Sequence, residues 1–232
     1  MKEELIVHRD PKSPISETFR TLRTNIQFIN NKDNLQTVLV TSTLPREGKS
    51  FVSANLSVAF AQTGKRVLLI DADMRKGRQY SIFELLPKPG LSNFLLEFSE
   101  IKDEAKMLEY IQGTKIDNLH VMTAGSIPPN PSELLVSEAM MKTIEILKNI
   151  YDIIILDGPP VELVTDSVIL TRIVDSTVIV TACNETKKDN LHRVIDSIKN
   201  VGGKIAGVVV NKIVVAAKEY QNSYYYGNDK RK

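Results

Sequence analysis

Three short segments of this 232-residue chain carry residue types and spacings suited to phosphate chemistry. The run from Val38 to Ser50 reads as a strand, a loop and the start of a helix, and it closes on Gly48-Lys49-Ser50. Such a loop aims backbone N–H groups and a helix N-terminus at anionic oxygens. Lys49 reaches the β- and γ-phosphates of a nucleotide, the Ser50 hydroxyl ligates Mg²⁺, and Gly48 lets the backbone approach closely. The expected nucleotide-contacting stretch is Arg46, Glu47, Gly48, Lys49, Ser50 and Phe51. It meets the pattern G-x-x-x-x-G-K-[ST] except at the first glycine, which is Thr43 here.

Two further runs bring acid to the same place. Val67-Leu68-Leu69-Ile70 leads into Asp71-Ala72-Asp73, and Ile153-Ile154-Ile155-Leu156 leads into Asp157-Gly158-Pro159-Pro160. Carboxylates at the C-terminal ends of strands stand at the edge where open α/β sheets bind ligands, and alternate residues such as Asp71 and Asp73 can face one crevice. Three acids beside a Lys-Ser phosphate loop imply Mg²⁺.

The elements that must hold these groups are legible as apolar runs at 37–41, 66–70, 119–122, 151–156, 177–181 and 205–210. They are apolar on both faces, as strands are when helices cover both sides of a mostly parallel sheet. Helices are expected at 14–30, 50–62, 131–149, 166–173 and 188–201, with Ser13 as N-cap and Pro14 as first residue of the earliest. Residues 77–117 are read as helices and loops inserted after the second strand. The fold class is therefore α/β, a P-loop NTPase fold with a mostly parallel central sheet and helices on both faces, in one domain over residues 1–219 followed by a flexible tail over 220–232.

Composition sets outer limits. At 42% hydrophobic the chain can bury one sizeable core, and 30 basic against 28 acidic residues give no overall attraction to nucleic acid. One cysteine, Cys183, cannot form an internal disulfide, which fits a reducing cytoplasm. The N-terminal segment is charged, and no run of about 18 apolar residues occurs, so membrane association is expected only through a partner, at the inner face of the cell membrane.

Taken together, the loop, Asp71-Ala72-Asp73-Met74-Arg75 and Asp157-Gly158-Pro159-Pro160 resemble the bacterial tyrosine kinases of capsule and exopolysaccharide synthesis. The likeness spans nearly the whole chain. It includes Glu17-Thr18-Phe19-Arg20-Thr21-Leu22-Arg23, similar to that family's E-x-x-R-x-x-R oligomerisation helix, as well as Pro128 to Glu133, Asp166-Ser167 and Val210-Asn211. Arg46 stands where many members have glycine, and Gly77 where proline is frequent. The resemblance implies ATP and Mg²⁺ as cofactors, with Lys49 on the phosphates and Ser50, Asp71 and Asp157 around the ion. Asp73 would accept the proton of the attacking tyrosine, and Asn211 would lie near the adenine. It also implies Glu17, Arg20 and Arg23 at the interface of a ring-like homo-oligomer, a separate membrane-spanning activator, a cognate tyrosine phosphatase and other protein substrates.

Four of the seven tyrosines, Tyr220, Tyr224, Tyr225 and Tyr226, fall within seven residues of the tail, an arrangement suited to autophosphorylation by a neighbouring subunit. Phosphate there would add nearly two negative charges per site and could loosen a ring. Two other readings stay open: a MinD/ParA-like positioning ATPase that phosphorylates no protein, and a catalytically weak scaffold. Leu44 argues against the first, because that family places a lysine at this position of its loop.

Overall fold

The computed structural model describes residues 3–29, 35–100 and 104–214. Its seven strands are β1 (Thr37–Ser42), β2 (Val67–Asp71), β3 (Gln112–Gly113), β4 (Leu119–Met122), β5 (Ile153–Asp157), β6 (Ser176–Ala182) and β7 (Ile205–Asn211). They form one sheet in the order β3-β4-β2-β5-β1-β6-β7. Every pairing is parallel except that of β3 with β4. The sequence-predicted α/β class is therefore observed, with the phosphate loop leaving a central strand.

Alternation within the strands divides the core in two. Val38 and Val40 of β1, Leu69 of β2 and Ile155 of β5 face one layer, while Leu39, Leu68, Ile70 and Leu156 face the other. The first layer is built on α3 (Lys49–Ala61), in which all but Lys49 and Phe51 are buried. Outside it lie α1 (Ile6–Arg9), within the charged N-terminal segment, and α2 (Pro14–Ile29). Ser13 begins α2 as expected, its Oγ accepting from the Ser16 N–H at 3.2 Å. The second layer is formed mainly by α5 (Leu91–Glu97), α8 (Glu138–Ile150) and α9 (Asp166–Leu170), and α10 (Lys188–Asn200) covers β6 near the far edge.

Three expectations need correction. The helix expected over 131–149 is two helices, α7 (Pro131–Val136) and α8, because Ser137 adopts an extended conformation and its side chain caps α8 by accepting from the Met140 N–H. The inserted segment holds α4 (Gln79–Phe83), α5, a 3₁₀ turn (Phe98–Glu100) and α6 (Glu104–Leu108), but also β3, which no apolar run announces. Finally, the helix from Asp166 ends at Leu170 rather than near 173. The tail tyrosines Tyr220, Tyr224, Tyr225 and Tyr226 lie outside the described residues.

Candidate active site

The loop between β1 and α3 turns on two left-handed residues, Arg46 (φ 66°) and Gly48 (φ 97°). Gly48 is required here twice over, since a Cβ on it would lie 2.0 Å from Asn211 Nδ2. Asn211, at the end of β7, donates to the Glu47 carbonyl at 2.9 Å and so braces the loop from the side. The buried Glu47 carboxylate accepts from the Leu44 N–H at 2.7 Å and from the Thr186 hydroxyl, tying the loop to the segment after β6. Arg46, by contrast, is exposed at the mouth of a cavity of about 490 Å³ lined by Gly48, Lys49, Ser50, Phe51, Asp73 and Pro160 among others.

A left-handed conformation costs a residue with a Cβ roughly 1–2 kcal/mol. Arg46→Gly is therefore expected to raise stability in urea denaturation by up to about 1 kcal/mol, part of the relief being offset by glycine's freer unfolded state. If the guanidinium also holds phosphate, the same variant binds ATP more weakly, so stability and affinity move in opposite directions.

The acids stand where β2 and β5 end side by side, with Asp71 in direct register with Asp157. Lys49 Nζ lies 3.0 Å from Asp73 Oδ2 and 3.5 Å from Asp157 Oδ1. Burial opposes the Lys49 ammonium, but Asp157, Asp73 and Asp71 outweigh it and raise its pKa above the ordinary lysine value. Asp71 is fully buried; burial first and the Asp157 charge second push it up to about 8. Asp73 also accepts from the Lys76 N–H at 2.9 Å, which fixes the turn after β2. Gly77 leaves room for this arrangement, because a Cβ there would lie 2.8 Å from Asp71 Oδ2.

The raised Asp71 has a thermodynamic consequence. Between its ordinary value of 3.8 and about 8 the folded chain holds a proton that the unfolded chain releases, so stability is greatest at the acid side of this window and falls as pH rises through it. Urea titrations in EDTA at pH 5.5 and 8 are expected to show this decline, provided both are read against an Asp71→Asn variant that lacks it.

The donor set suits Mg²⁺. Ser50, Asp71 and Asp157 offer hard oxygen ligands, and the buried Asp157 Oδ1 has no hydrogen-bond partner among the described residues. Among those residues no three acidic, histidine or cysteine side chains form a closed cage. At phosphate sites Mg²⁺ commonly takes one or two carboxylates and completes its shell with phosphate and water.

Contacts behind the site explain motifs to which the sequence assigns no role. Arg75 donates through Nε and Nη2 to the two Asp166 oxygens at 2.9 and 3.2 Å, and Ser132 Oγ donates to Asp166 Oδ1 at 2.5 Å. Thus α7, α9 and the turn after β2 are locked together. Ser167 and Thr41 both donate to the Pro159 carbonyl, at 2.5 and 2.6 Å, and so hold the turn after Asp157. Gln79, which no sequence motif singles out, reaches both Asp71 and Asp157.

The three residues of α2 expected at an interface do not share one fate. Glu17 is exposed and pairs with Arg20 at 2.8 Å, whose second nitrogen donates to the Pro11 carbonyl. Arg23 is turned inward instead, donating to the Ala59 carbonyl in the last turn of α3 at 2.9 Å. Nearer the loop, Phe19 of α2 meets Phe51 of α3 edge to face with centroids 5.8 Å apart.

The chain is similar to known proteins in sequence and in fold. A family model described as an AAA domain matches residues 47–209. The putative tyrosine-protein kinase CapB of Staphylococcus aureus is 40% identical over 97% of this chain and 96% of its own. The crystal structure of the chimerical protein CapA2B2 superposes with a TM-score of 0.85 at 40% identity, covering 93% of this chain and 92% of that one. The Pyrococcus furiosus cell division ATPase MinD, at 22% identity and a TM-score of 0.62 over 82% of this chain and 79% of its own, shares the fold alone.

Proposed function

The chain belongs to the bacterial tyrosine kinases represented by CapB and CpsD, and from that membership we propose that it transfers the γ-phosphoryl group of ATP to tyrosine hydroxyls in capsule or exopolysaccharide synthesis. Its own Tyr220, Tyr224, Tyr225 and Tyr226 are the first acceptors. The observation that carries this reading is the placement of Lys49 and Asp73, 3.0 Å apart, on the wall of one cavity beside the loop, with the buried Asp157 3.5 Å from the same ammonium.

Phosphoryl transfer asks for in-line positioning and neutralised charge rather than covalent catalysis by the protein. The loop backbone from Arg46 to Ser50 and the start of α3 would receive the phosphates. Lys49, which pairs with carboxylates in this structure, would turn its ammonium to the β- and γ-oxygens as they enter. Ser50, Asp71 and Asp157 would hold Mg²⁺, which supplies charge for the developing anion when bound. Asp73 lies on the cavity wall and would take the tyrosine proton, a step that matters because a phenol with a pKa of about 10 is mostly protonated at neutral pH. Asn211 would lie near the adenine, where its bond to the Glu47 carbonyl also braces the loop.

We assign Glu17, Arg20 and the outer face of α2 to contacts between subunits in a ring, with Arg23 acting through α3. No helix among the described residues is long and apolar enough to cross a membrane. A cytoplasmic location at the inner membrane face, a membrane-spanning activator, a cognate phosphatase and further protein substrates complete the proposal.

Incubation with Mg²⁺ and ATP, alone and with a candidate activator segment, followed by mass spectrometry of the C-terminal peptide, tests it. Phosphate on the four tail tyrosines is the expected result. ATP hydrolysis without phosphotyrosine under both conditions would favour a positioning ATPase.

A further inference from the structure

Gln79, the first residue of α4, is fully buried and stands behind the two metal-site acids. Its Nε2 donates to Asp157 Oδ2 at 2.8 Å, and it also lies 3.0 Å from Ser53 Oγ and 3.1 Å from the Ser50 carbonyl. Its backbone N–H donates to Asp71 Oδ2 at 2.9 Å. One residue thus touches the ends of β2 and β5 and the first turn of α3, the three elements that deliver Asp71, Asp157 and Ser50.

The amide can sit only one way round. Flipping it would set Oε1 against the Asp157 carboxylate and the Ser50 carbonyl, both acceptors. In the orientation that remains, Oε1 is buried with no hydrogen-bond partner among the described residues. Asp157 shows the complementary pattern: Oδ2 is held by Gln79, whereas Oδ1 accepts no hydrogen bond and faces Lys49 at 3.5 Å. A buried carbonyl oxygen left unpaired is unfavourable and calls for a donor. Mg²⁺ at phosphate sites keeps several waters, each of which is a donor.

We propose that Gln79 is the positioning residue of the Mg²⁺ site: it presents Asp157 Oδ1 to the ion, holds Asp71 beside it, and accepts through Oε1 from a metal-bound water. This inference rests on the reading of the loop as a Mg²⁺-nucleotide site. It gives Gln79 no contact with the transferred phosphoryl group or the tyrosine.

Calorimetric titration of the full chain with ADP, in EDTA and across a MgCl₂ series, separates the possibilities. For Gln79→Met, similar in volume but without the amide, the Mg²⁺ requirement of ADP binding is expected to rise about tenfold or more, as removal of an outer partner of a metal ligand does. Affinity for ADP in EDTA should stay within about twofold of the parent. Should that variant not fold, Gln79→Asn, one methylene shorter and out of reach of Asp157, gives the same readout. An unchanged Mg²⁺ requirement in a folded variant overturns the proposal. So does an equal loss of ADP affinity with and without Mg²⁺, or failure of both variants to fold, since each would reduce Gln79 to a packing residue. A parent chain that binds ADP with no dependence on Mg²⁺ would instead overturn the nucleotide-site reading beneath it.

Discussion

Lys49→Met is expected to lower tyrosine phosphorylation about 10³-fold, the upper end of what removal of one preorganised donor to a developing anion costs. Methionine keeps an unbranched side chain of nearly the same reach, so the stem still fills its place beside the cavity while the charge is lost. That charge stands between Asp73 and Asp157 here, at 3.0 and 3.5 Å. Without it the incoming phosphates meet three carboxylates with less compensation, so ATP binding should weaken along with the chemical step. Single-turnover transfer from γ-labelled ATP measures the rate, and a thermal melt establishes that the fold survives. A folded variant retaining more than a tenth of the parent rate would remove Lys49 from the chemistry.

Asp73→Asn should separate rate from binding. The change removes the proton acceptor but keeps the shape, and the carbonyl oxygen of the new amide can still accept from the Lys76 N–H that Asp73 Oδ1 engages at 2.9 Å. General base catalysis contributes about 10²–10⁴-fold, so a fall of roughly 10³ in kcat is expected. Affinity for Mg²⁺-ADP should change only a few-fold, because Asp71 and Asp157 remain. The contrast with Lys49→Met is diagnostic: a group acting only in the transition state lowers kcat and kcat/KM together and leaves ground-state binding in place. If Asp73→Asn loses nucleotide affinity as severely as rate, its role is to hold Lys49 rather than to take a proton.

Much of this site is legible in the sequence because its information is local. The strand ends, the Gly48-Lys49-Ser50 corner and the acids sit within short runs whose apolar residues declare their faces, and Asp71 and Asp157 do reach one edge in register. What the sequence hides depends on contacts between distant segments. Gln79 follows Asp71 by eight positions and belongs to no motif; only the folding back of α4 onto the start of α3 gives its amide three acceptors. Helical spacing groups Arg23 with Glu17 and Arg20 near one polar face, yet an open carbonyl at the end of α3 draws its guanidinium inward. The break at Ser137 is masked by apolar spacing that continues on both sides of it. Asp166 and Ser132 belong to recognisable segments, but nothing short of the fold could say that Arg75 joins them.

The grip of α2 on α3 reaches beyond stability. Phe19 holds Phe51, one residue beyond Ser50, while Arg23 holds the opposite end of the same helix at Ala59. A neighbouring subunit that shifts α2 therefore pulls on both ends of the rod whose tip forms the phosphate site. If such a shift changes nucleotide affinity by some factor, thermodynamic reciprocity requires the nucleotide to change subunit affinity by that same factor. In the ring proposed above, the contacts along α2 would then respond to the ATP-to-ADP ratio at each loop.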